Sequence, residues 1–299
     1  MTSPATGARI ALLADRGVVR VAGEDASRLL QGVITADMEL LSAQPAIHAA
    51  LLTPQGKILF DFFVVKIGGG FLLETARDKA GDLAKRLNLY KLRAKVEIRD
   101  ASDDYRVSAL WGPSPHDFGE TAGTVSFPDP RLPTLGSRIL AETGAATATN
   151  GVEASPEDYH AHRIALGVPE GGQDYTFGDT FPHEADLDQL NGVSFSKGCF
   201  VGQEVVSRMQ NRANVRKRVV PIQGEAPLAS GAEVTAGTAA IGTVGSVSGR
   251  LALALLRLDR VAEAKAKDQI LAAGGVAVTL SKPDWATFDL APAAPAEAP

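Results

Sequence analysis

The stretch AIHAALLTPQGKILFDFFVVKIGGGFLLET, residues 46 to 75, sets three apolar runs around two turn signals, Pro54-Gln55-Gly56-Lys57 and Gly68-Gly69-Gly70. Apolar runs of this length between such punctuation are consecutive antiparallel strands, so a meander is expected here. The segments around it fit one α+β unit. VVRVAG reads as a strand, and EDASRLLQGVI places Leu29, Leu30 and Val33 at the spacing of an amphipathic helix. DKAGDLAKRLNLYKL sets Leu83, Leu87 and Tyr90 on one helical face, and KVEIRD and YRVSALWG return to strand-like alternation.

From Gly112 to Gly151 prolines, glycines and small residues dominate, which predicts surface connections around short strands. SPEDYHAHRIALGVP opens on a serine cap with proline in the first turn and closes on glycine and proline, so it is a helix. Beyond Arg216, RKRVVPIQG, AEVTAG, AAIGTVGSVSG, RLALALLRL and VAVTLSK are short apolar strands divided by glycines, the pattern of a small antiparallel barrel. The closing APAAPAEAP is low-complexity and is expected to be a mobile tail.

Charge and cysteine usage narrow the function classes. Thirty basic against thirty-five acidic residues give a net charge of −5, which argues against a general nucleic-acid binder. The basic stretch from Arg208 to Arg218 has few interleaved aromatics to stack bases, so an RNA-binding role ranks last. The start MTSPATGARIALLADRG lacks the basic head and apolar run of a signal peptide, and the longest apolar runs are too short to span a bilayer. A single cysteine cannot form an internal disulfide. A reducing, cytoplasmic setting is therefore expected.

That cysteine carries the candidate site. In SKGCFVGQEVV, Cys199 lies between Gly198 and Gly202, two residues after Lys197 and shortly before Gln203 and Glu204. GVSFS before it alternates like a strand, whereas Val201, Val205, Val206 and Met209 recur at helical spacing, which places Cys199 near a helix N-terminus. First-turn N–H groups, the helix dipole and the Lys197 ammonium would all favour thiolate, the nucleophilic and metal-binding form. The competing reading is inert packing, because free cysteine is among the most buried residue types. For Gln203 and Glu204 it is ordinary helix-start chemistry. Glu204, Arg208, Arg212 and Arg216 recur every four residues and would stack on one helical stripe, with Arg208 the best candidate; a solvated face explains Arg212 and Arg216 as well.

Other candidates are weighed the same way. Asp61 interrupts an apolar strand among Phe60, Phe62 and Phe63, and either faces a polar cavity or lies on the solvent side. His160 and His162 fall on different helical faces, which makes joint metal chelation unfavourable and a structural role preferred. His183 sits in TFPHEADLDQL, where an acidic cluster could bind a cation or simply form a capped loop. No phosphate-binding glycine loop, paired zinc ligands or serine-histidine-aspartate signature is present. One cysteine cannot supply the usual four thiolates of an iron–sulfur cluster, so any cluster would be shared or transient.

KGCFVGQEVVSR, Lys197 to Arg208, closely resembles the YgfZ-family signature, K-G-C-(aromatic)-x-G-Q-E. That family is related to the glycine-cleavage T-protein, the aminomethyltransferase. VAGEDASRLLQGVITADM is similar to the T-protein's opening segment, LLTPQGKILFDFFV to its second strand pair, and HRIALGVPEGG falls in order. The resemblance implies a three-domain ring around a central folate cavity. The first domain would be split into 1–45 and 152–214 and carry the motif; the second α+β domain would be 46–151, the barrel 215–284 and the tail 285–299. It further implies tetrahydrofolate or a one-carbon derivative as cofactor, with no permanently bound metal, and Cys199 as a redox-sensitive thiol or transient metal ligand. Lys197, Gly198, Gly202, Gln203, Glu204 and Arg208 would shape the surroundings of Cys199.

Iron–sulfur client enzymes or cluster-assembly proteins would be the partners of an accessory factor, with the monomer favoured. The alternative is a folate-dependent one-carbon transferase, for which Asp61 falls at or near the T-protein's catalytic aspartate. Against that alternative, the T-protein's R-L-E-A-G-L supplies a glutamate for the pterin, whereas here Arg163-Ile164-Ala165-Leu166-Gly167 has alanine in its place. The pterin's paired donors would need another acceptor.

Overall fold

A computed structural model describes residues 7–113, 122–145, 151–212 and 215–291. The chain divides into two compact units, Met1–Tyr159 with Leu190–Gln203, and His160–Gln189 with Glu204–Pro299.

The first unit contains strands β1 (Arg9–Leu12) and β2 (Arg16–Ala22), helix α1 (Ala26–Val33), strands β3 (Ala46–Leu52), β4 (Ile58–Ile67) and β5 (Gly70–Ala76), helix α2 (Arg77–Lys91), and strands β6 (Glu97–Asp100), β7 (Tyr105–Trp111), β8 (Thr124–Pro128), β9 (Ser137–Glu142) and β10 (Val152–Glu153). The expected meander is present: β3, β4 and β5 pair antiparallel in sequence order. β2 and β6 extend the same sheet beyond β5, giving the order β3-β4-β5-β2-β6. A second sheet runs β10-β1-β7-β9-β8, antiparallel except where β1 meets β10.

Strand alternation explains why β3 and β4 are apolar nearly throughout. Phe60, Phe62 and Val64 join a core with Leu30 and Val33 of α1 and Ala80, Leu83 and Leu87 of α2. Phe63 and Val65, pointing the other way, join a core with Val107, Ala109 and Trp111 of β7 and Leu140 of β9. The sheet is thus covered on both faces, which removes the polar alternation of a half-exposed strand. The buried positions of α1 and α2 recur at intervals of three and four, one stripe per helix.

Between the sheets lies a charged cluster. Arg16 Nε donates to Glu74 Oε1 at 2.8 Å, and Arg138 lies 3.4 Å from the other oxygen of Glu74. Arg138 Nη2 also donates to the Tyr159 hydroxyl at 2.6 Å, and Arg131 grips Asp129 through Nε at 3.0 Å and Nη2 at 2.8 Å. All of these residues except Tyr159 carry charge, and all six are buried.

The second unit holds the C-terminal barrel: β11 (Lys217–Gly224), β12 (Glu233–Ala236), β13 (Ala239–Ser248), β14 (Leu251–Arg257), β15 (Leu271–Ala273) and β16 (Val276–Leu280), closed in the order β11-β14-β13-β12-β15-β16 with every pairing antiparallel. Two helices cross the division between units by chain position: α3 (Pro156–Ala165) and α4 (Gln203–Arg212). The last helix, α5 (Leu258–Ala266), packs Leu258, Val261 and Ala264 into the barrel core. Ser155 caps α3 as expected, its Oγ accepting from the Asp158 N–H at 3.1 Å while Asp158 Oδ2 accepts from the Ser155 N–H.

Two expected boundaries do not match. The division at 45/46 falls inside one sheet, because β2 pairs with β5 along its whole length. Of the tail expected from 285, the first residues are packed: Phe288 and Leu290 lie against the barrel core and Trp285 Nε1 donates to the Leu166 carbonyl at 2.9 Å. Residues 292–299 lie outside the described residues.

Candidate functional site

The cysteine segment is fixed from below by a lysine and a glycine. Lys197 is buried, and its Nζ donates to the carbonyls of Gln31 at 2.7 Å, Ile34 at 2.9 Å and Ala36 at 2.8 Å. These are carbonyls at and just past the end of α1, the groups a helix leaves without intrahelical partners. An ammonium has three hydrogens, and all three are used. Burial lowers its pKa to about 8, with Asp37 pulling the other way. Thr35 braces the same place: its hydroxyl donates to the Gly192 carbonyl at 2.6 Å and accepts from the Ala50 N–H at 2.7 Å, and its carbonyl accepts from the Ser194 N–H.

Gly202 holds the other end. Its φ is +81°, and a Cβ there would lie 2.6 Å from the Thr53 carbonyl oxygen, so only glycine lets the chain pass the β3–β4 turn. Between these anchors Phe200 is buried with its ring 5.4 Å from Lys197 Nζ, while Cys199 is exposed. The lone thiol is therefore displayed on a loop pinned at both ends.

Several expectations about this segment change. GVSFS forms no strand; Thr35 bonds its Ser194 N–H and its Gly192 carbonyl in place of a ladder. Helix α4 begins at Gln203, four residues beyond the cysteine, so Cys199 is not in the first turn. Lys197 is committed to carbonyls and serves as a cap. Around Gly198 a Cβ would meet nothing, so no local packing demands glycine there. Glu204 and Arg208 form an i,i+4 ion pair at 2.6 Å with side chains 86% and 54% exposed, worth at most a few tenths of a kcal/mol. Arg216 follows the end of α4 and is off the stripe; the Arg212 side chain lies outside the described residues.

Beside the segment opens a cavity of about 360 Å³, within the range of small-ligand sites. Ser194, Phe195 and Ser196 line it together with Asp37, Leu40 and His48. Leu40 and Phe195 are among the exposed large apolar side chains of the molecule. His48 escaped the sequence reading, although a lone polar residue in AIHAALL was a visible signal. The residue is 4% exposed, with Nδ1 at 2.9 Å from the Leu190 carbonyl. Because a carbonyl only accepts, Nδ1 carries the hydrogen. Burial holds the imidazole below its ordinary pKa, Arg131 acts in the same direction, and Leu190, Asp61 and Asp129 oppose it. The ring is thus neutral near pH 7, with a lone pair on Nε2.

Asp61 is buried on β4 on the same strand face as Phe63, and its carbonyl accepts from Thr75 Oγ1 at 2.8 Å. It does not line the cavity. In the second unit, the acidic cluster around His183 already holds a cation: Arg218 donates to Asp188 at 2.6 Å, to Asp186 at 3.1 Å and to the His183 carbonyl at 2.7 Å. His183 Nε2 lies 3.1 Å from Gln210 Oε1. His160 and Arg163 share Glu170, and Arg163 also binds Asp174 and Ser246, a structural knot that ties α3 to β13. Ala165 is exposed. Among the described residues no cluster of three or more His, Cys, Asp or Glu could hold a metal ion, and no helix is long and apolar enough to cross a membrane.

The layered first unit and the closed barrel define a T-protein-like α+β fold. Residues 13–128 match the GCVT N-terminal domain, and residues 216–288 match the CAF17 C-terminal beta-barrel domain. The crystal structure of glycine cleavage system aminomethyltransferase T from Bartonella henselae superposes with a TM-score of 0.76 over 94% of this chain and 87% of that one, at 16% identity, a likeness of fold alone. The human mitochondrial iron-sulfur cluster assembly factor IBA57 is 36% identical over 299 residues, 90% of this chain and 83% of the relative. The Neurospora crassa IBA57 homolog is 32% identical over 72% of this chain, which spans only 54% of that relative. The chain belongs to the IBA57 family of iron-sulfur cluster assembly factors.

Proposed function

We propose that this protein is an accessory factor in the assembly, maturation or repair of iron–sulfur proteins, acting through cluster-assembly or client proteins in a reducing compartment. The observation that carries the reading is the 36% identity with the human IBA57 assembly factor along 90% of the chain. Cys199 is the residue through which it would act: its side is exposed while its neighbours Lys197, Phe200 and Gly202 fix the backbone. A thiol so displayed can serve as a transient ligand once deprotonated.

Tetrahydrofolate is the cofactor we propose, and the donor and acceptor set can be tested for fit. Position 165 offers no acceptor, since alanine stands where the T-protein-like pattern has glutamate. The cavity of the first unit does: Asp37 and His48 supply acceptors, with Leu40, Ile47 and Phe195 as apolar surface for a ring. That set fits a pterin. Bound there, a folate would supply a one-carbon carrier or a reducing heterocycle. The residues of this chain bind and orient it, and the apolar rim formed by Leu40 and Phe195 excludes water.

Asp61, on which a folate-dependent one-carbon transferase would turn, is buried on β4 and does not line that cavity. The test of the main reading is a deletion strain complemented with wild type or Cys199→Ala, reading the activity of an iron–sulfur enzyme against a cluster-free control enzyme. Rescue of the cluster enzyme by wild type and failure by Cys199→Ala support it. Failure of wild type to restore cluster enzymes overturns the assembly role, and full rescue by Cys199→Ala overturns the role of the thiol.

A further inference from the structure

Helix α2 ends on a surface that the fold does not account for. Its buried positions, Ala80, Leu83, Ala84 and Leu87, form the stripe that faces the core. Leu89 lies two positions past Leu87, about 200° round the helix, and is 68% exposed. Leu92, three residues further, is 88% exposed. A single exposed leucine is ordinary, but Leu92 is also strained. Its φ of +47° and ψ of −109° are those of the first central position of a type II′ turn, which the Ala94 N–H closes on the Lys91 carbonyl at 2.8 Å. Glycine takes this conformation freely, whereas a leucine is held there at a cost. Leu92 buries almost nothing in return, so stability alone would place glycine at this position.

The charges around the two leucines are equally uncommitted. Between Asp82 and Glu97 the chain holds five basic residues and no acidic one, in a protein of net charge −5. Two of the five are neutralised within the molecule, Lys85 by Asp82 at 3.0 Å and Lys95 by Glu24 at 2.9 Å. Arg86, Lys91 and Arg93 have no carboxylate partner among the described residues. Arg86 precedes Leu89 by one turn, and Lys91 and Arg93 flank Leu92.

We infer that this end of α2 is a docking surface for another protein, one that offers an aliphatic pocket rimmed by carboxylates. Leu89 and Leu92 enter the pocket, and Arg86, Lys91 and Arg93 pair with the rim. The unpaired cations set the sign of the partner, and the leucines set the apolar centre of the contact. A second copy of this chain fits poorly, because a two-fold contact would set the three cations against their own like charges. A membrane fits poorly too: the apolar stripe of α2 is spent on the core, and Tyr90, its one aromatic, packs against that core instead of serving as an interfacial anchor. The inference goes beyond the assembly reading and uses neither Cys199 nor a folate.

The experiment replaces Leu89 with the photocrosslinking residue benzoylphenylalanine in the full chain in its native host, with exposed Lys66 replaced in the same way as the control. The protein captured from position 89 and not from 66 is identified by mass, purified, and titrated calorimetrically with wild type, Leu92→Gly and the double variant Arg86→Glu, Arg93→Glu. The captured protein should be acidic and bind wild type, with affinity falling ~10-fold between about 50 and 500 mM NaCl. Leu92→Gly should bind at least ~10-fold more weakly while its own melting temperature rises by ~1–3 °C. The double variant should bind at least ~10-fold more weakly with its melting temperature unchanged. A purely structural leucine would lose stability on removal, so the opposed movements of affinity and melting temperature mark a docking residue. Capture of nothing, of a basic protein, of a second copy or of RNA overturns the inference, as does undiminished binding by either variant or a Leu92→Gly melting temperature that does not rise. Sedimentation of wild type, and not of Leu92→Gly, with phosphatidylcholine–phosphatidylserine vesicles also overturns it, in favour of a membrane.

Discussion

Replacing Lys197 with methionine retains most of the side chain's apolar stem and removes the ammonium. The carbonyls of Gln31, Ile34 and Ala36 lose their common donor. Ile34 and Ala36 are 0% and 2% exposed, so solvent is poorly placed to substitute at two of the three. Each buried carbonyl left without a partner costs about 1–3 kcal/mol, offset in part by no longer burying a charge, for a net loss of about 2–4 kcal/mol. At about 2–4 °C per kcal/mol for a unit of this size, the melting temperature should fall by about 4–16 °C. The pH dependence gives a second handle. Burial brings the lysine to about 8 from 10.5. Between those values the unfolded chain holds a proton that the native chain has released, so this lysine adds stability as pH rises through the window, by at most about 1.4 kcal/mol per pH unit. Urea unfolding of wild type and Lys197→Met at pH 7, 8, 9 and 10 should show a gap at pH 7 that widens upward. Equal stabilities at pH 7, or a gap that stays flat or narrows from pH 8 to 10, refute the account of a buried ammonium capping α1.

Three other outcomes follow from the same geometry. Gly202→Ala should cost about 2–4 kcal/mol in urea unfolding, from the positive φ and the close Thr53 carbonyl, whereas Gly198→Ala should stay within about 0.5 kcal/mol of wild type. Arg138→Met leaves Glu74 and Asp129 short of a buried partner and should destabilise by about 3–5 kcal/mol, visible as a lowered melting temperature. His48 is held neutral by burial and by Arg131 against Asp61 and Asp129, so wild type should lose stability as pH falls below about 6.5, where the unfolded chain takes up a proton that native His48 refuses. His48→Asn should lose less over that range, as followed by acid-induced unfolding.

What was legible in the sequence was local. The meander, the cap of α3 and the barrel strands are written in turns, caps and alternation within short windows, and they form as read. The placement of β2 was not legible, because it closes on β5 across some fifty residues and no short-range signal states which strand a sheet will accept next. The KGC segment drew attention for its composition, yet its mechanics were misread. GVSFS alternates as a strand would, but it pairs with no strand, and the single residue Thr35 meets its Ser194 N–H and Gly192 carbonyl. Lys197 looked like a neighbour for the thiol, while its true partners lie more than 160 positions earlier in the chain. The thiol's exposure decided between display and inert packing, and sequence carries no measure of exposure for an isolated cysteine.

Residues 190–203 belong to the first unit although residues 160–189 belong to the second. During synthesis, then, α1 emerges early and waits with open carbonyls until Lys197 leaves the ribosome much later. A nascent chain stopped at residue 189 would hold both sheets of the first unit and still lack its final clasp, a contact that arrives late and slows completion of the fold. The thiol of Cys199 is made two residues after the clasp itself, so it appears together with the anchor that holds its loop.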